Sequence, residues 1–400
     1  MQHGITQIPP RRIKFLAMNL RKEKIQSLGL AVLISSNSIA SVLSFNGAWI
    51  LVMVICLFIF MLSRKLSFQK ALLPIVILVC YCFLSGNALS SQTNSPSAYN
   101  YGLFCLSFGL ALYTGRNKVD IKQFFKYMVI IGVVCSPFLL IKARTLAALV
   151  FTLEANSGTM MGMTYAIVPT ILSAFSLLMI GVGIKWKAIC FYLVIVLSVI
   201  LLLIGSRGAF VVFLVFFLLV FGTIIIKRAL YKTLFILVVG IIATFFIINF
   251  DNFLFYIENI LETRGYSFYA VTKAVNKIGE GSFSNGRTDI WQMALDGFLE
   301  NPLGHWVSSF EVQYNLHQHN FILQMMWEFG LLGLIMAISI LIKSSNQLFK
   351  QKNPKEKQLF MTTIFCSSIV FLLYSGTFWM IPCFWIWLLI LDNRIQYSYE

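Results

Sequence analysis

Residues 187–226 read KAICFYLVIVLSVILLLIGSRGAFVVFLVFFLLVFGTIII. Two apolar runs, 187–204 and 208–226, are separated by a turn centred on Gly205-Ser206-Arg207-Gly208. Each approaches the roughly 20 residues that an α-helix needs to cross a hydrocarbon core, and neither alternates in the way a half-buried strand does. In lipid the backbone must satisfy its own N–H and C=O groups, which a helix does within one segment. The stretch therefore reads as two membrane spans joined by a tight turn.

Similar runs recur on both sides of it. Apolar segments at 27–43, 48–62, 71–87, 99–114, 124–141 and 159–183 precede it, and 230–250, 319–342, 358–375 and 379–391 follow. With the two quoted runs they make twelve expected spans. The first is diluted by Ser35, Ser36, Asn37 and Ser38, and the last is short for a crossing. The expected fold is an all-α polytopic membrane protein, one transmembrane domain over residues 1–400. The composition agrees: 58% of residues are apolar and 12% charged, against about a quarter charged in soluble domains, and mean hydropathy is +0.82. A cytosolic enzyme, a disordered chain and a disulfide-stapled secreted module are all excluded. The eight cysteines lie inside apolar runs, which argues against a disulfide framework. The first apolar run is followed closely by another without a small-residue cleavage site, so a retained span is expected, not a removed leader.

Charge sets the expected orientation. Loops rich in Lys and Arg stay in the cytoplasm, and with the N-terminus inside, cytoplasmic segments hold 24 of the 31 basic residues. The remainder are Lys142, Arg144, Arg207, Arg264, Lys273, Lys277 and Arg287. An even number of spans with both termini cytoplasmic accounts for every loop. The net charge of +16 then reflects topology and contact with anionic membrane lipids, with no nucleic-acid partner implied.

One connection is long. Residues 251–318, between the ninth and tenth spans, form a large outer loop that holds 8 of the 15 acidic residues and His305 and His317, with His319 next to its end. Long loops in compact bundles are usually functional. Short helices are expected at 252–262 and 266–277, and a third at 287–300. There Ile290, Trp291, Ala294, Leu295 and Phe298 form an apolar stripe suited to the bundle or the membrane surface. Asn301-Pro302 stops that helix.

The candidate chemistry sits on the outer side. Arg207 is a lone cation between glycines: either a snorkelling anchor or a guanidinium that meets an anion at headgroup level, where phosphate matches its planar fork of donors. Arg287 opens the loop helix: either a solvated helix-end residue paired with Asp289, or half of an anion site strengthened by free amides and the helix dipole. His319-Asn320 stands where the loop re-enters the membrane. An interfacial His is often structural, yet a neutral imidazole there can take a proton from a sugar hydroxyl, with the Asn320 amide orienting ring or substrate. His317 and Glu328 are further substrate-binding candidates, Glu328 as an acidic residue placed deep in a span. A metal site on His305, His317 and His319 is the alternative, weakened by the absence of H-E-x-x-H or a cysteine pair.

These residues, in this order, resemble the O-antigen ligase and polymerase family of bacterial membrane glycosyltransferases. His319-Asn320, nine residues, Gly330, two residues and Gly333 match the ligase signature. Gly205-Ser206-Arg207-Gly208 resembles the family's arginine after a span, and Gly286-Arg287, Ile290-Trp291 and Glu300-Asn301-Pro302-Leu303-Gly304 resemble its periplasmic loop. The resemblance runs from about 201 to 334. It implies a GT-C-like fold without cofactor or metal, in the bacterial inner membrane. It also implies transfer of an undecaprenyl-diphosphate-linked glycan, with inversion, to an acceptor on the periplasmic face. Arg207 and Arg287 would bind the diphosphate, and His319 would deprotonate or orient the acceptor. A ligase uses lipid A-core as acceptor and a polymerase a second lipid-linked glycan; the intact His-to-Gly spacing and the single long outer loop favour ligase. A transporter or flippase of lipid-linked glycans is the rival from another class, although transporters place polar groups near the midplane. A structural scaffold, in which these residues serve folding alone, is the third reading.

Overall fold

The structure is a computed structural model that describes residues 10–43, 117–150, 157–204, 207–225 and 287–398, except 306, 308, 315, 351–352, 375 and 379–380, together with isolated helical residues within 55–59 and 255–263. The expected spans 48–62, 71–87, 99–114 and 230–250, most of the expected helix at 252–262 and all of that at 266–277 lie outside the described residues. So do Cys56, Cys80, Cys82 and Cys105.

The described chain is mostly helical: α1 (Pro10–Ile34), α2 (Ser36–Leu43), α3 (Ile121–Val150), α4 (Ser157–Ile180), α5 (Ile184–Ile204), α6 (Arg207–Val220), α7 (Arg287–Glu300), α8 (Ser309–Tyr314), α9 (Phe321–Leu348), α10 (Lys355–Phe365) and α11 (Pro382–Leu391). Two π turns, Phe221–Ile225 and Cys366–Val370, continue α6 and α10. Among the described residues, Ile121–Thr145, Ile184–Leu201 and Phe321–Leu348 are long and apolar enough to cross a membrane; Ile167–Ile180, Val211–Ile224 and Pro382–Leu391 are apolar but shorter.

The expectation of helix alone needs one correction. Asn117–Asp120 (β1) and Ile395–Ser398 (β2) pair as two parallel strands, Asn117 opposite Ile395 and Asp120 opposite Ser398. Each is four residues at the edge of an apolar run, too short for a period to register. The pair is fastened to α1: the Asp120 N–H donates to Ser27 Oγ at 2.9 Å and the Lys118 N–H to Gln26 Oε1 at 2.8 Å. Asp120 then caps α3 by accepting from the Gln123 N–H at 2.9 Å. Two boundaries also shift: α1 begins at Pro10, well before the expected 27, and the chain reopens as α2 after Ser35.

The core is built on α3, α4 and α5, each packed on the other two. Gly132 of α3 makes their close approach possible, since a Cβ there would overlap the Thr170 methyl of α4 and meet the Leu193 methyls of α5. The outward faces show the same helical period in reverse. Val134, Phe138 and Ile141 on α3, and Phe191, Ile195 and Val199 on α5, are exposed at three- and four-residue spacing, while Cys190, Leu193, Leu197 and Ile200 are buried. Apolar residues cover both faces, as suits a bundle in lipid. Pro137 interrupts α3 and cannot donate to the Val133 carbonyl; Ser136 Oγ donates to that oxygen instead, at 3.0 Å. Cys135, Cys190, Cys366 and Cys383 are buried free thiols.

The loops expected to share one face gather at one end. Lys118 pairs with Glu23 at 3.5 Å, Lys126 lies over the Trp186 ring, Lys355 Nζ donates to the Met179 carbonyl at 2.6 Å and Lys357 lies over the Tyr397 ring of β2. Helix α9 runs away from that end: Gln358 of α10 holds its last carbonyl, Leu348 O, at 2.6 Å.

Candidate functional site

The opposite end of α9 carries the site. His319 adopts a left-handed backbone, φ 54°, a conformation that costs most residues about 1–2 kcal/mol and here turns the chain from the loop into the helix. Asn320 is the helix cap: its Oδ1 accepts from the Ile322 N–H at 3.0 Å and the Leu323 N–H at 3.3 Å.

Helix α7 packs on α9, and its limits, Arg287–Glu300, are those expected from the sequence. Trp291 Nε1 donates to the Gln318 carbonyl at 3.0 Å, which pins the first turn of α7 beside the His319 turn. Arg287 lies four residues before Trp291 on the same helix face, and its guanidinium acts electrostatically on His319. Burial first, then Arg287, then the neighbouring His317 push the His319 imidazole down to about 4. It is therefore neutral at neutral pH. Its Nδ1 is buried without a hydrogen-bond partner, and so is the Gln318 side-chain nitrogen.

His317 is the opposite case. Its ring lies 6.1 Å from that of His319, edge to face, and its Nδ1 is 3.1 Å from Glu311 Oε1. The hydrogen bond to Glu311 lifts the His317 imidazole above its ordinary value, against the effect of burial. Two imidazoles in neighbouring positions are thus shifted in opposite directions, the separation expected where acid and base roles are divided.

The second half of the loop explains the glycine spacing. At Gly330 (φ 61°, ψ −141°) α9 breaks. In an unbroken helix the Leu331 N–H would donate to the Trp327 carbonyl. Here Leu331 donates to the Pro302 carbonyl at 2.8 Å, and Trp327 O accepts from the His305 N–H at 2.7 Å. One helical hydrogen bond is exchanged for two to the 302–305 segment, so the loop is stitched into the gap. A Cβ on Gly330 would overlap the Pro302 carbonyl, one on Gly304 (φ 96°) the carbonyl of Glu328, and one on Gly333 that of Met325. Asn301 holds the turn, its amide donating to the Gly304 carbonyl at 2.9 Å.

Trp327 fills the space beneath. It packs against Gly297 of α7, donates to Ser309 Oγ at 2.8 Å and touches Phe310 and Tyr314 of α8. His305 stacks on its ring at 4.1 Å and uses Nε2 on the Gly297 carbonyl at 2.8 Å. This structural employment separates His305 from His317 and His319. Among the described residues no three of His, Cys, Asp and Glu come together as a metal site.

Glu328 is the acidic residue within the expected span 319–342. It lies just before the break, level with the docked loop, and is 2% exposed. Gln324 Nε2 donates to Glu328 Oε1 at 2.8 Å and to Thr377 Oγ1 at 2.7 Å, while Gln324 Oε1 accepts from the Phe378 N–H at 3.3 Å. This network ties the first turns of α9 to the 374–378 segment. Arg207 is the first residue of α6, which packs on the Cys366–Val370 turn, and Gly208 faces Tyr374. The backbone of Arg207 therefore enters beside the segment that Gln324 holds; its side chain lies outside the described residues.

Glu311, the Gln318 carbonyl and the Gln324–Thr377 link were not singled out from sequence. Glu311 had one legible signal, an acidic residue within reach of two histidines; a main-chain acceptor such as Gln318 O has none.

No curated protein and no solved structure matches the chain. Residues 191–338, which run from α5 through the break in α9, match the family model described as O-antigen ligase. Through that segment, with His319, Arg287 and both glycines of the break inside it, the chain is similar to the O-antigen ligase family.

Proposed function

We propose that this protein is an O-antigen ligase: on the periplasmic face of the bacterial inner membrane it transfers a glycan from undecaprenyl diphosphate to lipid A-core, without metal or cofactor and with inversion. Both termini are cytoplasmic in this reading. Its support is the collection of Lys118, Lys126, Lys355 and Lys357 at one end of the bundle, away from the His319 end of α9.

The observation that carries the reading is the approach of Arg287 to His319 from opposite ends of one loop segment, fastened by Trp291 on Gln318. In the reaction the acceptor oxygen attacks the anomeric carbon, the bond from that carbon to the diphosphate oxygen breaks, and the acceptor proton passes to His319. Arg287, with Arg207 from α6, stabilises the charge that collects on the departing diphosphate. Asn320 positions His319 by capping α9; Glu328 holds Gln324, which in turn holds Thr377 and Phe378.

The protonation states fit this order of events. A His319 held at about 4 is free to accept a proton at neutral pH. A bound diphosphate offsets the positive charge of Arg287, so His319 gains proton affinity in the substrate complex. The acid limb of kcat/KM, which reports the free protein, is expected near pH 4, with the limb of kcat at higher pH.

The test is glycan transfer by the purified full chain in lipid vesicles. His319→Ala is expected to lower kcat by a factor on the order of 100–10,000, the usual worth of a general base, with membrane insertion unchanged. Full activity in that variant ends the proposal. Deleting the gene in its host separates the acceptors: complete absence of glycan on lipid A-core is expected, whereas short glycan retained on lipid A-core makes the protein a polymerase.

A further inference from the structure

We propose that Glu311 is a positioning residue that holds His317 as a second cation of the site, aimed at a phosphate oxygen of the donor's diphosphate. The inference rests on the transfer reading above and adds to it a residue with no assigned role.

The geometry is specific. Glu311, on the short helix α8, is largely buried, its side chain 12% exposed, whereas the His317 side chain is 52% exposed. The carboxylate touches one nitrogen of the ring, Nδ1 at 3.1 Å, and Nε2 is the nitrogen left for a ligand on the open side. Glu311 Oε2 is buried without a hydrogen-bond partner. A carboxylate so placed has exchanged water for a single partner, and its attraction for a charged imidazole is strengthened by the loss of water around it. His319 stands 6.1 Å away on the other flank of His317, and Arg287 reaches His319 from α7. Among the described residues, the charged groups acting on the two rings are Glu311 from α8 and Arg287 from α7; the first residues of α9 contribute the uncharged cap Asn320.

In this proposal Arg287 and a protonated His317 supply two cations beside the neutral His319 imidazole. That arrangement suits a dianionic diphosphate beside a base: the phosphate oxygens take the hydrogen bonds from Arg287 and His317 Nε2, while His319 stays neutral for the acceptor hydroxyl. Without Glu311, His317 loses its proton at lower pH, and the donor meets one cation fewer under neutral to basic conditions.

The test separates this role from a folding role through its dependence on pH. In Glu311→Gln, the KM for the polyprenyl-diphosphate donor is expected to rise more at pH 8 than at pH 6, by up to about tenfold, the worth of one charge-assisted hydrogen bond, with kcat little changed. His317→Gln raises KM at both pH values. Adding His317→Lys to Glu311→Gln restores a fixed cation and brings KM back at pH 8. Equal KM ratios at pH 6 and pH 8 in Glu311→Gln, or an unchanged KM at pH 6 in His317→Gln, overturn the proposal.

A second readout needs no turnover. The chain has four histidines, so nitrogen-15 NMR of the full-length protein in nanodiscs can follow each ring. Glu311→Gln is expected to lower the His317 midpoint and raise that of His319. An unmoved His317 midpoint refutes the role of Glu311 even if transfer is confirmed, and a shifted midpoint in a protein that transfers no glycan refutes the transfer reading alone.

Discussion

The three-helix core of α3, α4 and α5 and the junction of α7 with α9 are both close-packed, yet they are held together by different atoms. At Gly132 the neighbours are the methyl groups of Thr170 and Leu193. At Gly330 they are the main-chain atoms of Pro302, Leu303 and Gly304. A side-chain neighbour can rotate away, whereas a carbonyl already engaged with Leu331 cannot move without losing its hydrogen bond. The core is a surface fit repeated along whole helices, while the junction is a backbone exchange at one residue. The first tolerates local error and the second does not.

That contrast is tested most strongly at its two glycines. Gly330→Ala combines a left-handed backbone with an overlap on Pro302 and is expected to cost about 3 kcal/mol or more, from strain and two lost hydrogen bonds, and to abolish transfer. Gly132→Ala should cost less, about 1–3 kcal/mol of overpacking, and keep a measurable fraction of activity. Thermal unfolding in detergent, read beside transfer, checks both; a milder effect at Gly330 than at Gly132 breaks the comparison.

Trp291→Phe removes the indole donor while keeping the ring. A loss of about 1 kcal/mol is expected, and because Arg287 is then less firmly held, kcat should fall further than stability suggests. Intact kcat would show that the Gln318 bond does not position Arg287. Arg287→Ala sharpens the electrostatic side. Removing a positive charge favours the imidazolium, so the His319 midpoint should rise from about 4, yet remain below its ordinary 6.5 because burial is the larger cause. A midpoint that stays put by NMR would place Arg287 out of reach. The smallest effect belongs at the other end of the bundle. Lys118→Ala breaks a pair with Glu23 in which Lys118 is 55% exposed, worth under about 1 kcal/mol, and transfer should not change.

Much of this was readable before the fold. The helical stripe from Ile290 to Phe298 located α7 to the residue, because a period of 3.6 accumulates over fourteen positions. The glycines of the motif from His319 to Gly333 are legible in the sequence, but the break they serve is not; few residues other than glycine fit where a foreign backbone enters a helix. The run at 319–342 reads as a span, which the length and apolar character of Phe321–Leu348 bear out, but it gives no sign of the break at Gly330. Hydropathy records how apolar a segment is and carries no information on whether its carbonyls bond within the helix or to the loop. Glu328 accordingly reads as an acidic group deep in a span; the structure adds that its carbonyl meets Gly304 of the docked 302–305 segment. The β1–β2 pair escaped for a related reason, four residues at each of two places 278 apart in the chain having no local signature.

By itself the sequence determined that this is a helical membrane protein and that a helix spans 287–300, and it pointed to the cationic and imidazole side chains of the site. Those are properties of composition and short-range spacing. The tertiary structure alone decided that Arg287 comes to bear on His319, that Glu311 takes His317 and that His305 is spent on Trp327. Each of those outcomes depends on hydrogen bonds to particular main-chain or side-chain atoms across the loop, and burial and charge at close range then set what each ring does with its proton.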